Sequence, residues 1–344
     1  NNVLDFSKIE AGRLTLDEQW FKPREAVNTV AELFSGEAQN KGIEVMAVVA
    51  MDFPDECFAD ALRFQQVLTN LVGNAIKFTD DGGVKIRLDY KTAKHETSGH
   101  LRLEVIDTGI GIAEEQQARL FNEFIQADST ATRRYQGTGL GLAISQRLVN
   151  LMGGAIQCFS RKGEGACFSV DIPMRARSEP DLALKSALDI FNGIEVLIYS
   201  QNPVLGAGLC EQFTHYAIIS RSFHDKDELE QHLDRLAPDA PVVVMLDTPG
   251  ISDMEEVTYI KMMPRRFPDL RFVRLAPMSE VGAINASKQM GFRAVVRKPT
   301  HVYSLLHYLA VALGGGSLPL LSSEMLIAEE PSERIDVGGS PARI

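Results

Sequence analysis

LTNLVGNAIKF, residues 68–78, places two carboxamides and an ammonium, Asn70, Asn74 and Lys77, in an otherwise apolar stretch. The leucines and valines recur at the i, i+3, i+4, i+7 spacing of a helix with one buried face, which we predict over 59–78. The three polar residues share a second stripe beside the apolar one, and no carboxylate is among them. A solvated helix face has the same pattern, so a ligand site needs support from elsewhere in the chain.

A short glycine motif, DTGIGI at 107–112, follows a predicted strand. Asp107 at the strand end can accept a hydrogen bond from an exocyclic amine. Gly109 and Gly111 allow the backbone to approach a flat ligand where a Cβ would clash. An ordinary turn is the commoner explanation of this motif when it stands alone.

A second glycine motif, GTGLGL at 137–142, opens a predicted helix, where backbone N–H groups and the helix dipole favour a phosphate. It is not the dinucleotide fingerprint, because Leu142 stands where the third glycine of GxGxxG belongs, and the chain has no GxxxxGK[ST]. The polar stretch 120–136, which includes Arg133 and Arg134, is typical of a lid that closes over a charged ligand.

The whole chain, of 344 residues, is long enough for about two domains, each with its own core. Its net charge of -11 argues against a nucleic-acid-binding protein, which needs clustered lysine and arginine. The four cysteines have no CxxC spacing, so we expect reduced, buried thiols. No apolar run is long enough to cross a bilayer, and the first residues show no signal-peptide pattern.

Hydrophobic patterning divides the chain in two. The first part predicts an α+β fold with helices on one face of a mixed, largely antiparallel sheet, which ends in a hairpin. After a polar, proline-bearing linker, apolar strands alternate with helical segments, as in a doubly wound parallel sheet. The predicted units are a helix end at 1–16, a first domain at 17–175, a linker at 176–190, a second domain at 191–314 and a linker or disordered tail at 315–344.

Four motifs in order, NLVGNAIKFT, DTGIGI, LFNEF and GTGLGL, closely resemble the N, G1, F and G2 boxes of sensor histidine kinases, members of the GHKL superfamily of ATP-binding domains. The resemblance covers residues 1–175. Its opening, NNVLDFSKIEAG, is similar to the end of the second helix in the dimerisation and phosphoacceptor hairpin of that family. The resemblance implies a GHKL-type α/β sandwich with ATP and Mg²⁺ as ligands.

The resemblance also implies a role for each matching residue. Asn74 would bind Mg²⁺ through its carbonyl oxygen. Asn70 and Lys77, the predicted catalytic residues, would contact the phosphates or the water shell of the metal. Asp107 would read the adenine amine, with Phe78 packed near the adenine. The other predicted nucleotide contacts are Gly109, Gly111, Ile112, Gly137, Thr138, Gly139, Leu140 and Gly141.

Two features of the lid region are less specific. Phe121 and Phe124 match the F box, although core packing that anchors the lid explains them equally well. Gln136 stands where the family commonly has another glycine, a departure that would stiffen the lid.

The carboxylate that is absent from the first stripe separates two activities. ATP-hydrolysing relatives such as gyrase carry a glutamate one turn before the metal-binding asparagine, where it activates water as a general base. Asn70 stands at that position and cannot take a proton. The site would therefore present the γ-phosphate of ATP·Mg to a nucleophile supplied elsewhere, in this family a histidine. Two alternatives stay open, a GHKL ATP hydrolase and a nucleotide-sensing regulatory module.

The phosphoacceptor histidine is not predicted within this chain. None of its seven histidines matches the family's H-E-[LI]-[RK]-T-P box, since His95 is followed by ETS and His224 by DKD. We therefore expect the catalytic half of a histidine kinase. Its expected partners are a histidine-bearing dimerisation hairpin and a downstream receiver or phosphotransfer domain. We expect a cytoplasmic location, as part of a membrane-anchored sensor.

The second predicted domain resembles a response-regulator receiver domain, which has a flavodoxin-like fold. Asp247 matches the phosphoacceptor aspartate of that family and Lys298 its pocket lysine. Ser200 and Gln201 stand where the family has the pair of acids that holds Mg²⁺, and Ala276 stands where it has threonine or serine. We therefore expect a pseudo-receiver, in which Asp247 is not phosphorylated and the domain acts by docking.

Overall fold

The computed structural model describes residues 11, 13–92, 98–122, 140–178, 188–237, 240–247, 254–280 and 283–314. Two sheets organise them, one of seven strands and one of five. No helix within these ranges is long and apolar enough to cross a membrane. The predicted tail at 315–344 and most of the predicted helix end at 1–16 lie outside the described residues.

The first sheet is mixed, as the sequence predicts. Its strands are β1 (Gln19–Phe21), β2 (Glu44–Val49), β3 (Glu56–Ala59), β4 (Gly83–Thr92), β5 (Ser98–Asp107), β6 (Ala155–Ser160) and β7 (Ala166–Arg177). The order is β1-β3-β7-β5-β4-β2, with β6 paired to β7 outside this path. The β2–β4 pair is parallel, and the others are antiparallel, including the predicted hairpin of β6 and β7.

The helices of the first domain are α1 (Pro23–Lys41), α2 (Ala61–Phe78), α3 (Glu114–Gln117) and α4 (Gly141–Leu151). α1 ends at Gly42, whose φ of 72° is in the left-handed region that favours glycine. The carboxylate of Asp60 accepts a hydrogen bond from the Arg63 N–H and so caps α2. The three longer helices share one hydrophobic core with the sheet, and Leu71 of α2 and Val105 of β5 are fully buried there.

The second sheet is parallel throughout and flavodoxin-like, with the order β12-β11-β10-β8-β9. Its strands are β8 (Glu195–Tyr199), β9 (Ile219–Phe223), β10 (Val242–Asp247), β11 (Arg271–Pro277) and β12 (Ala294–Lys298). Its helices are α5 (Pro203–His215), α6 (Lys226–Leu233), α7 (Met254–Arg266), α8 (Ala283–Gln289) and α9 (Val302–Ala312). This arrangement confirms the receiver-type fold predicted for the second domain.

Two strands are not predicted from hydrophobic patterning. β3 has four residues, and its partners β1 and β7 lie on either side of it in the sheet but far apart in the chain. β9 is an edge strand, ISRSF, in which the side chain of Phe223 alone is buried. Neither strand is long or apolar enough to give a clear alternating signal.

β2 is buried on both of its faces. Val45 and Val49 belong to the hydrophobic core of the first domain, whereas Met46 and Val48 belong to a core that lies mainly in the second domain. α5 of the second domain packs against this second face, and its Leu209 is fully buried there. The two domains therefore share hydrophobic packing along β2.

The four cysteines are free thiols. Burial raises the pKa of Cys57 and of Cys158 to about 12, and it raises the pKa of Cys167 to about 11. These three thiols are therefore protonated at neutral pH, but only Cys57 is buried as predicted, whereas Cys158, Cys167 and Cys210 are partly exposed.

Candidate functional site

The structure brings the polar stripe of α2 against the start of α4. Asn70, Asn74 and Lys77 are all partly exposed, beside the buried apolar face of the same helix. Asn70 Nδ2 donates a hydrogen bond to Ser145 Oγ of α4 at 2.9 Å. A Cβ on Gly141 would lie 2.2 Å from Asn70 Oδ1, so a larger residue there would force the Asn70 side chain to move. The predicted N box and the last glycine of the G2 box are therefore neighbours.

Asp107 lies at the end of β5 and is 8% exposed. Its Oδ1 accepts hydrogen bonds from the Gly109 N–H at 2.9 Å and from the Ala166 N–H at 3.2 Å. Burial raises the pKa of Asp107, and these two backbone N–H groups oppose the shift. Oδ2 takes no hydrogen bond from the described residues, which suits a carboxylate that reads a ligand amine.

The loop that follows Asp107 is held close to neighbouring backbone. A Cβ on Gly109 would lie 2.4 Å from the carbonyl oxygen of Phe78, at the end of α2. Gly111 has a φ of 64°, and a Cβ there would lie 1.9 Å from the carbonyl oxygen of Arg161. The adjacent Ile112 donates its N–H to Ser160 Oγ at 2.8 Å. Both glycines are thus required by the path of the backbone.

Lys77 and Phe78 interact directly. The Lys77 ammonium lies 5.1 Å from the centre of the Phe78 ring, within the range of a cation–π contact. Both side chains are partly exposed. They lie at the C-terminal end of α2, next to the loop that begins at Asp107.

Several predicted site residues lie outside the described residues: Phe124, Gln136, Gly137, Thr138 and Gly139. Leu140, which immediately precedes α4, is 3% exposed. Phe121 is partly buried and packs against the hydrophobic core of the first domain. That packing matches the anchoring role offered as one account of the F box.

The predicted receiver pocket is assembled at the ends of β10 and β12. Lys298 Nζ donates to Asp247 Oδ1 at 2.7 Å, and Ser200 Oγ donates to Asp247 Oδ2 at 2.7 Å. Ala276 is fully buried, whereas Gln201 is exposed. The pocket thus contains the predicted aspartate and lysine. As predicted, it has the hydroxyl of Ser200 in place of a metal-binding carboxylate.

Sequence reasoning missed the residues that join the two domains, one at this pocket and one at the other end of β2. Glu44, the first residue of β2, accepts a hydrogen bond from Lys298 Nζ at 2.5 Å. Gln212 of α5 hydrogen-bonds to both backbone groups of Val49, at 2.9 Å and 3.0 Å. The available signals were a lone glutamate before an apolar strand and a glutamine in the apolar helix LGAGLCEQF. Neither signal indicates which residue is the partner.

With this geometry in place, comparison with known proteins defines the class. Residues 59–176 match the family described as "Histidine kinase-, DNA gyrase B-, and HSP90-like ATPase". Residues 59–176 therefore form a domain of this ATPase family, and the relatives of the chain include a signal transduction histidine-protein kinase and a hybrid signal transduction histidine kinase.

Particular relatives cover different parts of the chain. The signal transduction histidine-protein kinase BarA of Escherichia coli (strain K12) is 46% identical over 168 residues, which is 49% of this chain and 18% of that protein. The sensory/regulatory protein RpfC of Xanthomonas campestris pv. campestris is 32% identical over 338 residues, which is 90% of this chain and 46% of that protein. The chain thus spans less than half the length of these relatives.

One solved structure matches both domains together. The crystal structure described as full-length ShkA in complex with AMPPNP has a TM-score of 0.74 and 29% sequence identity, over 91% of this chain and 61% of that one. The similarity therefore extends beyond the ATPase domain into the second domain.

Proposed function

We propose that the chain is the catalytic portion of a two-component hybrid sensor histidine kinase. It binds ATP·Mg and presents the γ-phosphate to a histidine outside this chain. The observation that carries the proposal is the polar stripe of α2, in which Asn70 takes the place of a general base one turn before Asn74.

The described residues fit ATP and Mg²⁺. Asp107 Oδ2 is available to accept from the adenine amine, and Gly109 and Gly111 allow the loop after Asp107 to pack closely against the backbone of Phe78 and Arg161. Within the described ranges no cluster of three or more His, Cys, Asp or Glu could hold a metal. A carbonyl ligand such as Asn74, completed by phosphate oxygens and water, suits Mg²⁺, which keeps part of its water shell.

When bound, ATP·Mg supplies the phosphoryl group and the cation that neutralises its oxygens. Asn74 would hold the metal, Lys77 would place an ammonium beside the phosphates, and Asn70 would be kept in position by Ser145. The first N–H groups of α4 would face the phosphates. The acceptor imidazole nitrogen would form a bond to the γ-phosphorus as the bond to the bridging oxygen breaks, and ADP would leave.

The hydrolase alternative lacks its base. The Asn70 carboxamide donates to Ser145 and lies against Gly141, so it is held by neighbours and cannot accept a proton from water. Transfer to a positioned nucleophile therefore fits the site better than attack by water.

For the second domain, we propose that Asp247 is not phosphorylated. Both of its carboxylate oxygens are already hydrogen-bonded, to Lys298 and to Ser200, and Ser200 cannot replace a carboxylate as a metal ligand of full charge. The phosphoryl group would find the Lys298 ammonium but no pair of acids to hold the divalent metal ion that neutralises its oxygens.

Transfer to histidine can be measured with the full chain, a separate fragment that contains a histidine-bearing hairpin of a homologous kinase, and radiolabelled ATP. We expect label on the hairpin that is acid-labile and base-stable, as a phosphohistidine is. Asn74→Ala should abolish it, while Asn150→Ala, an exposed asparagine of α4, should leave it unchanged. Normal ATP binding without labelled histidine, or release of free phosphate in place of labelling, would contradict the kinase proposal.

The receiver proposal has its own test. After incubation of the chain with acetyl phosphate and Mg²⁺, intact mass spectrometry should show no phosphoryl adduct. A stoichiometric adduct that disappears in Asp247→Ala would show that the pocket is competent and that the domain is a true receiver.

A further inference from the structure

A side chain of the first domain enters the receiver-like pocket of the second. Lys298 Nζ donates to Asp247 Oδ1 at 2.7 Å and also to Glu44 Oε1 at 2.5 Å. Asp247 and Lys298 are 6% exposed and 8% exposed, so the pair is shielded from water. One ammonium therefore joins carboxylates from the two domains.

We propose that this pocket is a docking socket: it receives the carboxylate of Glu44 and thereby holds the second domain against β2. The partner that the socket fits is a single carboxylate at the start of an edge strand, supplied by the same chain. This role goes beyond the presentation of ATP and does not depend on which nucleophile receives the phosphoryl group.

The pocket is better suited to a carboxylate than to a metal ion. Asp247 has its two oxygens engaged by Lys298 and Ser200, and Lys298 directs a second hydrogen bond outward to Glu44. Among the described residues no group of three or more acidic, histidine or cysteine side chains could hold a metal. The fixed ammonium supplies the positive charge, so an incoming anion is what the site attracts.

The charges of the three groups support this arrangement. Burial lowers the pKa of Lys298, but Asp247 and Glu44 outweigh that effect and raise it, so the ammonium stays charged at neutral pH. Burial raises the pKa of Glu44, and Lys298 opposes the shift. If the two domains separated, Glu44 would lose Lys298 and Lys298 would keep only Asp247, so the second carboxylate contact of Lys298 exists only in the docked arrangement.

Contacts made by α5 also hold the second domain against the first. Gln212 of α5 is 3% exposed; its carboxamide accepts from the Val49 N–H and donates to the Val49 carbonyl oxygen, as a neighbouring strand would. At the N-terminus of α5, Asn202 Nδ2 donates to the carbonyl oxygen of Gly82 at 2.7 Å. The socket lies at one end of β2 and the Gln212 contact at the other, so together they fix the register of the docked domain.

Packing between α5 and β2 is close. A Cβ on Gly208 would lie 1.9 Å from the sulfur of Met46, which is 1% exposed. Glu211 of α5 forms ion pairs with Lys85 and Arg87 of β4 at the rim. The apolar packing of α5 on β2 supplies most of the contact area between the domains, and the partly buried Glu44–Lys298 ion pair selects the position of the second domain.

Charge reversal at Glu44 tests the socket in the full chain. Glu44→Lys would place a second ammonium against Lys298, so we expect the second domain to leave β2. The measurement is backbone amide exchange at Val49, whose N–H is held by Gln212. We expect exchange to be faster by about tenfold or more, and each factor of ten corresponds to about 1.4 kcal/mol of docking free energy.

The matched control is Glu37→Lys, which makes the same charge change at an exposed position of α1 and should leave Val49 exchange unchanged. The amide of Leu103, in the centre of β5, reports whether the first domain is still folded. If Glu44→Lys also exposes Leu103, the second variant, Lys298→Met, decides, because it removes the ammonium from the other domain. Val49 exchange within about twofold of the parent in Lys298→Met, or in a folded Glu44→Lys, would overturn the proposal and assign docking to apolar contacts alone.

Discussion

Asp107 is a buried carboxylate whose charge costs the fold free energy, and we propose that it reads the adenine of ATP. Burial raises the pKa of Asp107, so its ionisation is less favourable in the folded protein than in the unfolded chain. The folded protein therefore loses stability as the pH rises through this raised pKa. Its two backbone hydrogen bonds both go to Oδ1. The second oxygen is therefore the part of the side chain that a nucleotide would use.

Asp107→Asn separates these two roles. The amide oxygen can still accept from Gly109 and Ala166, while the NH₂ group replaces Oδ2 and faces the adenine amine, another donor. We expect the affinity for ATP to fall by about 100-fold or more, since two donors are left opposed in a desolvated site. Isothermal titration calorimetry measures this affinity.

The melting temperature of Asp107→Asn should equal or exceed that of the parent at pH 7, and the difference should shrink as pH falls, because the parent then becomes neutral at this position. ITP, which has a carbonyl in place of the amine, is the control ligand and should bind the variant better than ATP does. A variant that keeps its preference for ATP would show that Asp107 does not read the base.

Gly141 defines how closely α4 approaches the predicted metal and phosphate site. In Gly141→Ala the new Cβ would lie 2.2 Å from Asn70 Oδ1, so Asn70 must shift away from Ser145. We expect the affinity for ATP·Mg to fall by about tenfold or more, as a misplaced contact group of this kind costs.

Gly36→Ala is the control for Gly141→Ala. Gly36 lies within α1, and a Cβ there would have no atom within 4 Å. This change should stabilise the protein by about 0.5 to 1 kcal/mol and leave nucleotide affinity unchanged. Equal affinities for the Gly141→Ala protein and the parent would mean that Asn70 does not contribute to the site.

At the scale of elements, α5 completes the edge of β2 through one side chain. In Gln212→Ala the N–H and the carbonyl oxygen of Val49 lose their partners in a buried position. We expect the free energy of unfolding, measured with urea, to fall by about 2 kcal/mol or more. Gln231→Ala, at an exposed position of α6, should change it by no more than about 0.5 kcal/mol. A Gln212→Ala protein as stable as its parent would show that water replaces both bonds at no cost.

Local periodicity explains which elements could be predicted from the sequence. α2 has a long apolar stripe, and the hairpin of β6 and β7 has two alternating runs joined by a short glycine-bearing turn, so both were predicted close to their observed bounds. β3 was not, because four residues give little pattern and its place in the sheet depends on partners distant in the chain.

The same distinction applies to the sites. The motif spacing placed Asn70 and Gly141 in one predicted site, and Asp247 and Lys298 in another, and the structure brings each pair of segments together. Glu44 could not be assigned to either site, because its partner lies 254 residues away and belongs to another sheet. The contact between domains follows from tertiary packing that no single segment encodes.

At the scale of the whole molecule, the shared core makes the first domain dependent on the second. A fragment of residues 13–178 would expose Met46 and Val48 together with the unpaired edge of β2. We expect this fragment to associate at concentrations at which the full chain stays monodisperse, because apolar edge strands pair with other copies. Light scattering measures the difference, and the double variant Met46→Lys, Val48→Thr should restore monodispersity. A monodisperse parent fragment would show that β2 tolerates exposure.

Because β2 is buried on both faces, the second domain cannot be exchanged freely for another domain. A chimaera could join another receiver-type domain to the first domain at the predicted linker. It would nevertheless lose the face of α5 that covers β2. The exchanged domain would need a small residue at the position of Gly208 and a carboxamide at the position of Gln212. The two domains therefore have to be exchanged together, although the sequence pattern divides the chain into two domains.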